Sequence, residues 1–287
     1  MESSRSAGTV PAAGSSLATL LHWAQARGCT PLDTQLLLAH ALGRPRSYLY
    51  AEPAMPCPDP AYRAFIATVE RRARGEPLAY ITGVREFWSR PLRVTAAVLV
   101  PRPETEGLVE LALELGPPGA ARILDLGTGS GAIAVALAGE RPQWQVTATD
   151  ASPAALAVAA GNARTLGLAN CEFLAGSWYA PLAGRRFDLI VSNPPYIAPG
   201  DPALADPALR HEPLRALVSP PDGLAALREI VAGARAHLVD GGALALEHGH
   251  DQAPAVAEML VRAGFSHVRC HADLAGHPRH TSARTPR

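Results

Sequence analysis

The stretch that decides the fold is residues 123–138, ILDLGTGSGAIAVALA. It starts as a short apolar run typical of a buried strand, passes through a glycine-rich turn and continues as an apolar segment long enough for a helix. A strand that turns at once into a helix over glycines lets a ligand approach the backbone, because no Cβ stands in the way and a positive φ costs little. The stretch therefore predicts a strand–turn–helix unit with a nucleotide-like ligand at the turn.

The spacing of the turn and two acidic residues indicate which ligand this is. Gly127, Gly129 and Gly131 follow G-x-G-x-G, not the G-x-G-x-x-G of a dinucleotide pyrophosphate site. Asp125 lies just before the turn, where a carboxylate would repel a pyrophosphate but suit a cationic amino-acid moiety. Asp150 ends the next predicted strand, QVTATD, where an acidic residue typically accepts hydrogen bonds from ribose hydroxyls. This combination favours S-adenosylmethionine; a turn that merely packs a helix on a strand is the alternative.

Outward from this turn, strands and helices alternate to the end of the chain, which predicts an α/β fold with a mainly parallel sheet covered on both faces. In such sheets ligands bind at the carboxyl ends of the strands. Helices are predicted over residues 104–115, 131–138, 153–166, 222–238 and 252–263, and strands over residues 122–126, 144–149, 171–175, 187–192, 243–247 and 265–271.

The chain before residue 101 has a different pattern. Helical spacing begins at Leu17, and further helices are predicted over residues 33–42 and 60–74. Short β-like runs follow between residues 77 and 100, namely LAYITG, EFWSR and LRVTAAVLV. The predicted organisation is a small helical domain (1–75), a β-hairpin linker (76–100) and an α/β domain (101–287).

Composition excludes several classes of protein. The 26 basic residues balance 26 acidic residues, so no strong overall field attracts nucleic acid or an anionic membrane. The four cysteines form no C-x-x-C pair, which argues against a zinc ribbon. LEHGH (residues 246–250) is not expected to bind a metal. With no signal-peptide pattern and no membrane-spanning apolar run, we expect a soluble, cytoplasmic protein.

A second informative stretch, IVSNPPYI, ends the strand predicted over residues 187–192. Asn193 offers an amide oxygen and Pro194 a carbonyl oxygen, and the two prolines restrict the backbone so that these acceptors are held in a fixed geometry. The ring of Tyr196 can lie against a flat group bound to them. Two fixed acceptors and an aromatic face fit a planar NH2 group, either an amide or an exocyclic base amine. A rigid turn without catalytic function is the structural alternative.

Five segments in this order resemble the bacterial peptide chain release factor glutamine methyltransferases. They are GEPLAYITGVREFWSRPLRVTAAVLVPRPETEGLVE, ILDLGTGSGAIAVALA, IVSNPPYI, RHEPLRAL and LEHG. The resemblance covers residues 15 to 279 approximately, and it implies a class I methyltransferase domain with a seven-stranded mixed sheet, a Rossmann-like arrangement. The implied reaction is methylation of the side-chain amide nitrogen of glutamine in the Gly-Gly-Gln loop of release factors, without a metal.

The resemblance also implies which residues form the site. The site of the methyl donor S-adenosylmethionine corresponds to Gly127, Thr128, Gly129, Ser130, Gly131, Asp150, Trp178 and Asn193. The glutamine site corresponds to Asn193, Pro194, Pro195 and Tyr196, of which Asn193, Pro194 and Tyr196 are the expected catalytic residues. Arg102 and Glu104 resemble the cover of the methyl-donor pocket. Trp178 is equally consistent with a core tryptophan, and Ser177 stands where the family often has an acidic residue.

The motifs leave alternatives open. NPPY also occurs in methyltransferases that act on DNA bases, so the substrate could be a nucleobase amine or a glutamine of another protein, such as a ribosomal protein. An inactive adaptor that binds the methyl donor is a further class, which the intact Asn193 and Tyr196 disfavour. We expect a release factor as the partner and no direct binding to nucleic acid or membranes.

Overall fold

The computed structural model describes residues 9–287, and the chain divides between Gly83 and Val84 into two compact units. The predicted helical domain ended at residue 75, so the division lies eight residues further along the chain. Residues 1–8 of that predicted domain lie outside the described part. No helix in residues 9–287 is long and apolar enough to cross a membrane.

The first unit is built from helices whose ends carry clear sequence signals. Ser16 accepts a hydrogen bond from the Thr19 amide, Thr30 accepts one from the Asp33 amide, and Gly43 ends the second helix in the left-handed conformation. Leu20, Leu37 and Phe65 are fully buried between the helices. The helices are α1 (Leu17–Ala26), α2 (Pro31–Leu42), α3 (Arg46–Ala51), α4 (Asp59–Ala73) and α5 (Leu78–Thr82).

Two elements of this unit differ from the prediction. Helix α3 was not predicted, and LAYITG forms α5 instead of a β-like run. Pro77 precedes α5 and Gly83 ends it with a φ of 75°, so the sequence limits the helix to five residues despite its β-branched and aromatic side chains. The predicted hairpin follows as β1 (Val84–Phe87) and β2 (Arg90–Arg93). Trp88 and Ser89 form its turn at positive φ.

The second unit contains the predicted seven-stranded mixed sheet, in the order β5-β4-β3-β6-β7-β9-β8. Strands β3 to β7 run parallel to one another, whereas β9 runs antiparallel to both of its neighbours, β7 and β8. The strands are β3 (Ala121–Leu126), β4 (Trp144–Asp150), β5 (Cys171–Ala175), β6 (Phe187–Ser192), β7 (Leu238–Glu247), β8 (Ser266–Ala272) and β9 (Pro278–Arg284).

Helices cover both faces of this sheet. Helices α6, α7 and α8 contribute to the apolar core on one face, and α9 and α10 to the core on the other. Chain order reverses across β3: β4 and β5 lie on one side of it and β6 on the other. The carboxyl ends of β3 and β6 therefore flank a crevice of the kind that binds ligands in such sheets. The helices are α6 (Glu106–Leu115), α7 (Ala132–Glu140), α8 (Pro153–Thr165), α9 (Ala225–His237) and α10 (Ala253–Arg262).

Strand β9 is the element that the sequence pattern did not predict. Its sequence, PRHTSAR, is polar and lacks apolar alternation, yet His280, Thr281 and Ser282 are buried between the neighbouring strands. Strand β7 also begins at Leu238, five residues before the predicted start, and its first half contains Asp240, Gly241 and Gly242, residue types that are depleted in strands. The remaining predicted elements of the second unit lie within three residues of their observed bounds.

Candidate active site

The glycine turn after β3 is open to a ligand and fixed to the end of β4. Gly127, Gly129 and Gly131 have φ angles of 71°, 56° and 83°, which side-chain-bearing residues rarely adopt. The amides of Gly127 and Thr128 both donate to the Thr149 carbonyl, at 2.9 and 3.0 Å. These contacts define the floor of a cavity, named here the glycine-turn cavity. It is lined by residues 97–99, 101, 102, 105, 127–130, 132, 133, 150–152, 155, 177, 178, 193, 195, 213, 215 and 216.

Asp150 lies in this cavity beside the turn. Its Oδ2 accepts a hydrogen bond from the Gly129 amide at 2.9 Å, and its Oδ1 accepts one from the Ser152 amide at 2.8 Å. Each carboxylate oxygen can accept a second hydrogen bond. The side chain is thus oriented by the backbone and still able to bind hydroxyl groups in the cavity.

Two of the predicted ligand-facing residues lie elsewhere. Asp125 is fully buried beneath the turn and does not line the cavity, contrary to the expectation that its carboxylate would face a cationic group. Its Oδ2 accepts a hydrogen bond from Thr128 Oγ1 at 2.6 Å, and burial raises the pKa of Asp125 to about 7. Gly131 also lies outside the cavity wall, because it faces α8: a Cβ there would approach Ala159 Cβ to 3.0 Å.

Trp178 belongs to both the cavity wall and the apolar core. Its backbone has a φ of 45°, and its carbonyl accepts a hydrogen bond from Thr149 Oγ1 at 3.1 Å. A Cβ on Gly127 would lie 3.1 Å from the Trp178 ring, so the ring covers the first glycine of the turn. Ser177 also lines the cavity. Trp178 therefore lines the cavity and also packs against the apolar core.

Asn193 lies where two cavities meet. Its Nδ2 donates to Thr105 Oγ1 at 3.0 Å, and its Oδ1 has no hydrogen-bond partner among residues 9–287. Ser192 Oγ donates to the Leu126 carbonyl at 2.7 Å, which joins the ends of β6 and β3. The second cavity, named here the Asn193 groove, is lined by Leu99, Arg102, Glu104, Asn193, Pro194, Pro195, Tyr196, Ile197, Leu209, Ala216 and Leu217.

The two cavities share Leu99, Arg102, Asn193, Pro195 and Ala216. Pro194, Tyr196 and Glu104 line the Asn193 groove alone. A group bound in the groove would thus meet a ligand of the glycine-turn cavity at Asn193. This arrangement suits the transfer of a group between two ligands.

Comparison with known proteins agrees with this geometry. A family model described as the methyltransferase small domain matches residues 108–209, and one described as the PrmC N-terminal domain matches residues 20–83. The release factor glutamine methyltransferase of Xylella fastidiosa strain Temecula1 is 52% identical over 256 residues, covering 89% of this chain and 93% of the relative. The corresponding protein of Escherichia coli K12 is 45% identical, covering 88% and 91%. The chain belongs to the release factor glutamine methyltransferase family.

Two solved structures are similar to this chain. The release factor-specific protein-(glutamine-N5) methyltransferase of Alicyclobacillus acidocaldarius is 34% identical over 66% of this chain and 95% of that chain, with a TM-score of 0.42. A methyltransferase from Pyrococcus furiosus is 21% identical and covers 76% of this chain and 99% of that chain, with a TM-score of 0.55. The latter supports the methyltransferase fold alone.

Three polar residues of this family member were not singled out from its sequence. Thr105 holds Asn193, and Arg215 Nη2 donates to Ser152 Oγ at 2.5 Å beside Asp150. Glu212, whose side chain is fully buried, accepts hydrogen bonds from the Val100 amide at 3.1 Å and from Arg102 Nη2 at 2.6 Å. VPRPETE and RHEPLRAL carry these residues, but the motifs alone do not show contacts between residues 110 positions apart.

In the LEHGH segment, as in the rest of residues 9–287, no group of three or more histidine, cysteine or acidic residues is placed to hold a metal ion. His248 is buried, with Nδ1 2.8 Å from the Gly249 carbonyl and Nε2 2.8 Å from Thr281 Oγ1. Burial lowers the pKa of His248. In this family member the histidine therefore joins β7 to β9.

Proposed function

We propose that this chain transfers a methyl group from S-adenosylmethionine to the side-chain amide nitrogen of the glutamine in the Gly-Gly-Gln loop of peptide chain release factors. The observation that carries the proposal is the position of Asn193 at the junction of the glycine-turn cavity and the Asn193 groove, with its Oδ1 free to accept a hydrogen bond. Membership of the release factor glutamine methyltransferase family supports the choice of substrate.

The residues of the glycine-turn cavity fit S-adenosylmethionine. Asp150 would accept hydrogen bonds from the ribose hydroxyls, and Trp178 would pack against the adenine. The positive φ angles of Gly127 and Gly129 allow a ligand to approach the backbone closely. When bound there, S-adenosylmethionine supplies an electrophilic methyl group on its sulfonium.

Asn193 and Pro194 would act on the glutamine. An amide nitrogen is a weak nucleophile because its lone pair is delocalised into the carbonyl. Asn193 Oδ1 and the Pro194 carbonyl would accept hydrogen bonds from the two N–H groups of this amide. These hydrogen bonds would stabilise the positive charge that develops on the nitrogen and orient the nitrogen for attack. Thr105 keeps the Asn193 amide turned so that Oδ1, not Nδ2, is available. The ring of Tyr196 would contact the flat amide.

The helical unit would help to bind the release factor, and the enzyme would work in the cytoplasm, where release factors act. The hairpin of β1 and β2 would also contact the release factor. These assignments follow the division of the chain and the match of its first unit to the PrmC N-terminal domain model. A protein substrate needs more contact area than one glutamine side chain offers.

The test is the transfer of a labelled methyl group from S-adenosylmethionine to a release factor, to the same factor with its loop glutamine replaced, and to duplex DNA. We expect label on the intact factor alone. Asn193→Ala should lower kcat by about 100-fold, the size of effect seen when one charge-stabilising hydrogen bond is removed from an active site. Label on DNA but not on the factor would refute the proposed substrate, and normal turnover of Asn193→Ala would refute the role of Asn193.

A further inference from the structure

Two side chains that flank the turn between β7 and α10 hold Tyr196 from outside the Asn-Pro-Pro-Tyr segment. Gln252 Nε2 donates to the Tyr196 carbonyl at 2.9 Å, and the Tyr196 hydroxyl donates to Glu247 Oε1 at 3.4 Å. The backbone carbonyl and the ring hydroxyl of Tyr196 are thus both hydrogen-bonded to the segment that connects β7 to α10. Neither Glu247 nor Gln252 lines the Asn193 groove itself.

Gln252 joins three segments of backbone. Besides the Tyr196 carbonyl, its Nε2 lies 3.4 Å from the Gly223 carbonyl, and its Oε1 accepts a hydrogen bond from the Gly249 amide at 2.9 Å. Gly223 has a φ of 82°, and a Cβ there would lie 2.5 Å from the Tyr196 oxygen. The close approach that Gln252 needs therefore depends on a glycine at 223.

Glu247 is fully buried and incompletely bonded. It pairs across the sheet with His280, and the distance from its Oε2 to His280 Nε2 is 3.8 Å. Both of these atoms are buried without a hydrogen-bond partner in the described residues. A buried carboxylate oxygen without a hydrogen bond destabilises the fold. The presence of Glu247 beside Tyr196 therefore needs an explanation.

His280 connects this pair to the other side of the site. A Cβ on Gly107 would lie 2.9 Å from His280 Cε1, so the imidazole packs against the first turn of α6. Thr105, two residues earlier, holds Asn193. Asn193 precedes the two prolines and Tyr196 follows them. Each of these two residues is therefore held by side chains from neighbouring elements.

We propose that Gln252 and Glu247 are positioning residues that act through Tyr196, Gln252 on its backbone and Glu247 on its ring. This inference rests on the proposed function, in which Tyr196 contacts the acceptor amide. Burial, together with the charge of Glu247, raises the pKa of Tyr196, which keeps its hydroxyl a hydrogen-bond donor. A displaced Tyr196 ring or Tyr196–Ile197 peptide would misorient the amide after binding, so the effect should be on kcat.

The first test compares Gln252→Ala with Gln143→Ala. Gln143 also donates from Nε2 to a backbone carbonyl, that of Pro118 at 3.1 Å, but it precedes β4 at the opposite end of the sheet. We expect Gln252→Ala to lower kcat about 10- to 100-fold, with KM for the release factor and affinity for S-adenosylmethionine changed less than about threefold. Gln143→Ala should leave all three unchanged. An unchanged kcat in Gln252→Ala would overturn its role.

The second test is a double-mutant cycle between Glu247→Gln and Tyr196→Phe. If Glu247 acts through the Tyr196 hydroxyl, Glu247→Gln should lower kcat severalfold in the native background and have no further effect in Tyr196→Phe. Equal effects in both backgrounds would overturn the role of Glu247.

A readout independent of substrate separates this inference from the proposed function. In protein labelled with ¹³Cζ-tyrosine, the Tyr196 signal, assigned by its loss in Tyr196→Phe, should shift in Gln252→Ala and in Glu247→Gln but not in Gln143→Ala. An unmoved signal in the first two variants overturns the positioning role. Failure of the native enzyme to label any release factor, with the signal shifts present, overturns only the proposed function.

Discussion

At the scale of single residues, the most unusual group is the buried carboxyl of Asp125. Burial raises its pKa to about 7 from an ordinary value of 3.8, with the Thr128 hydrogen bond acting in the opposite direction. The folded chain therefore holds this proton up to about pH 7, whereas the unfolded chain releases it near pH 4.

From this shift we predict the pH dependence of Asp125→Asn. Between pH 4 and pH 7 the unfolded native sequence binds fewer protons than the folded one, so its free energy of unfolding falls as pH rises. The Asp125 contribution to this fall is roughly 1.4 kcal/mol per pH unit, and it ends above about pH 7. The asparagine variant lacks this contribution. Denaturant unfolding of both proteins from pH 4 to pH 9 measures the difference, and parallel curves would contradict the prediction.

Asp150 is predicted to act on the methyl donor and not on the fold. Asp150→Ala should weaken S-adenosylmethionine binding by about 10-fold or more, because the ribose hydroxyls lose a charged acceptor. Isothermal titration calorimetry measures this affinity. Asp188→Ala is the matched control, since Asp188 also accepts a backbone hydrogen bond, from Arg122 at 2.7 Å, at the far end of the sheet. Equal affinities of the Asp150 variant and the control would argue against the ribose assignment.

Which site residues the sequence could predict depends on how local their environment is. Gly127, Gly129 and Asp150 were predictable because each lies at a strand end, where the connection to the next helix is short and its geometry is local. Thr105 and Glu212 were not, because their partners lie 88 and 110 or more positions away and each looks like an ordinary polar surface residue. Asp125 was assigned to the correct strand end, but sequence spacing could not show that the turn folds over it.

At the scale of elements, the segment of residues 209–216 is held against residues 100–102 by Glu212. Both segments contribute to the wall of the glycine-turn cavity and of the Asn193 groove. The Glu212 side chain is fully buried whereas that of Arg102 is 29% exposed, so the pair lies at the edge of solvent. The buried carboxylate is satisfied only while the two segments remain together.

We therefore predict that Glu212→Ala loosens both segments without unfolding the sheet. S-adenosylmethionine affinity should fall severalfold, and the free energy of unfolding should fall by about 1–3 kcal/mol, because the Val100 amide and Arg102 lose their acceptor. Calorimetry and denaturant unfolding measure the two effects. Glu172→Ala is the control: it breaks an exposed pair with Arg185 and should change stability by less than about 1 kcal/mol. Equal, small effects in both variants would contradict this role.

Elements differed in how well the sequence predicted them, for identifiable reasons. The parallel strands are buried on both faces and appear as continuous apolar runs, so they were found. Strand β9 is buried as well, but its buried residues include histidine, threonine and serine. Thr281 bonds to His248, which directly follows β7, and Ser282 bonds to His271 of β8. Helix α5 was missed because the propensity of Tyr80, Ile81 and Thr82 for strands outweighed the signals of the flanking Pro77 and Gly83.

At the scale of the whole molecule, the order of motifs carried more information than any one of them. NPPY alone fits amide and base amines equally, and the glycine turn alone fits many nucleotide-like ligands. Their combination with the segments on either side identified the family, which the relatives then confirmed. The boundary between the two units was harder to predict, since α5 continues the helical unit up to Gly83 through a stretch that resembles strand.

The division of the chain leads to a prediction for residues 84–287 expressed without the helical unit. Every residue of the glycine-turn cavity lies between positions 97 and 216, so S-adenosylmethionine affinity should stay within about threefold of the full chain. If the helical unit helps to bind the release factor, KM for that factor should rise at least about 10-fold, because contact area outside the glutamine loop is lost. Circular dichroism verifies folding, and calorimetry and labelled-methyl transfer measure the two parameters. An unchanged KM together with intact methyl-donor binding would show that the α/β unit alone recognises the release factor. The shortened chain retains the hairpin of β1 and β2, so this hairpin would then be the next segment to substitute.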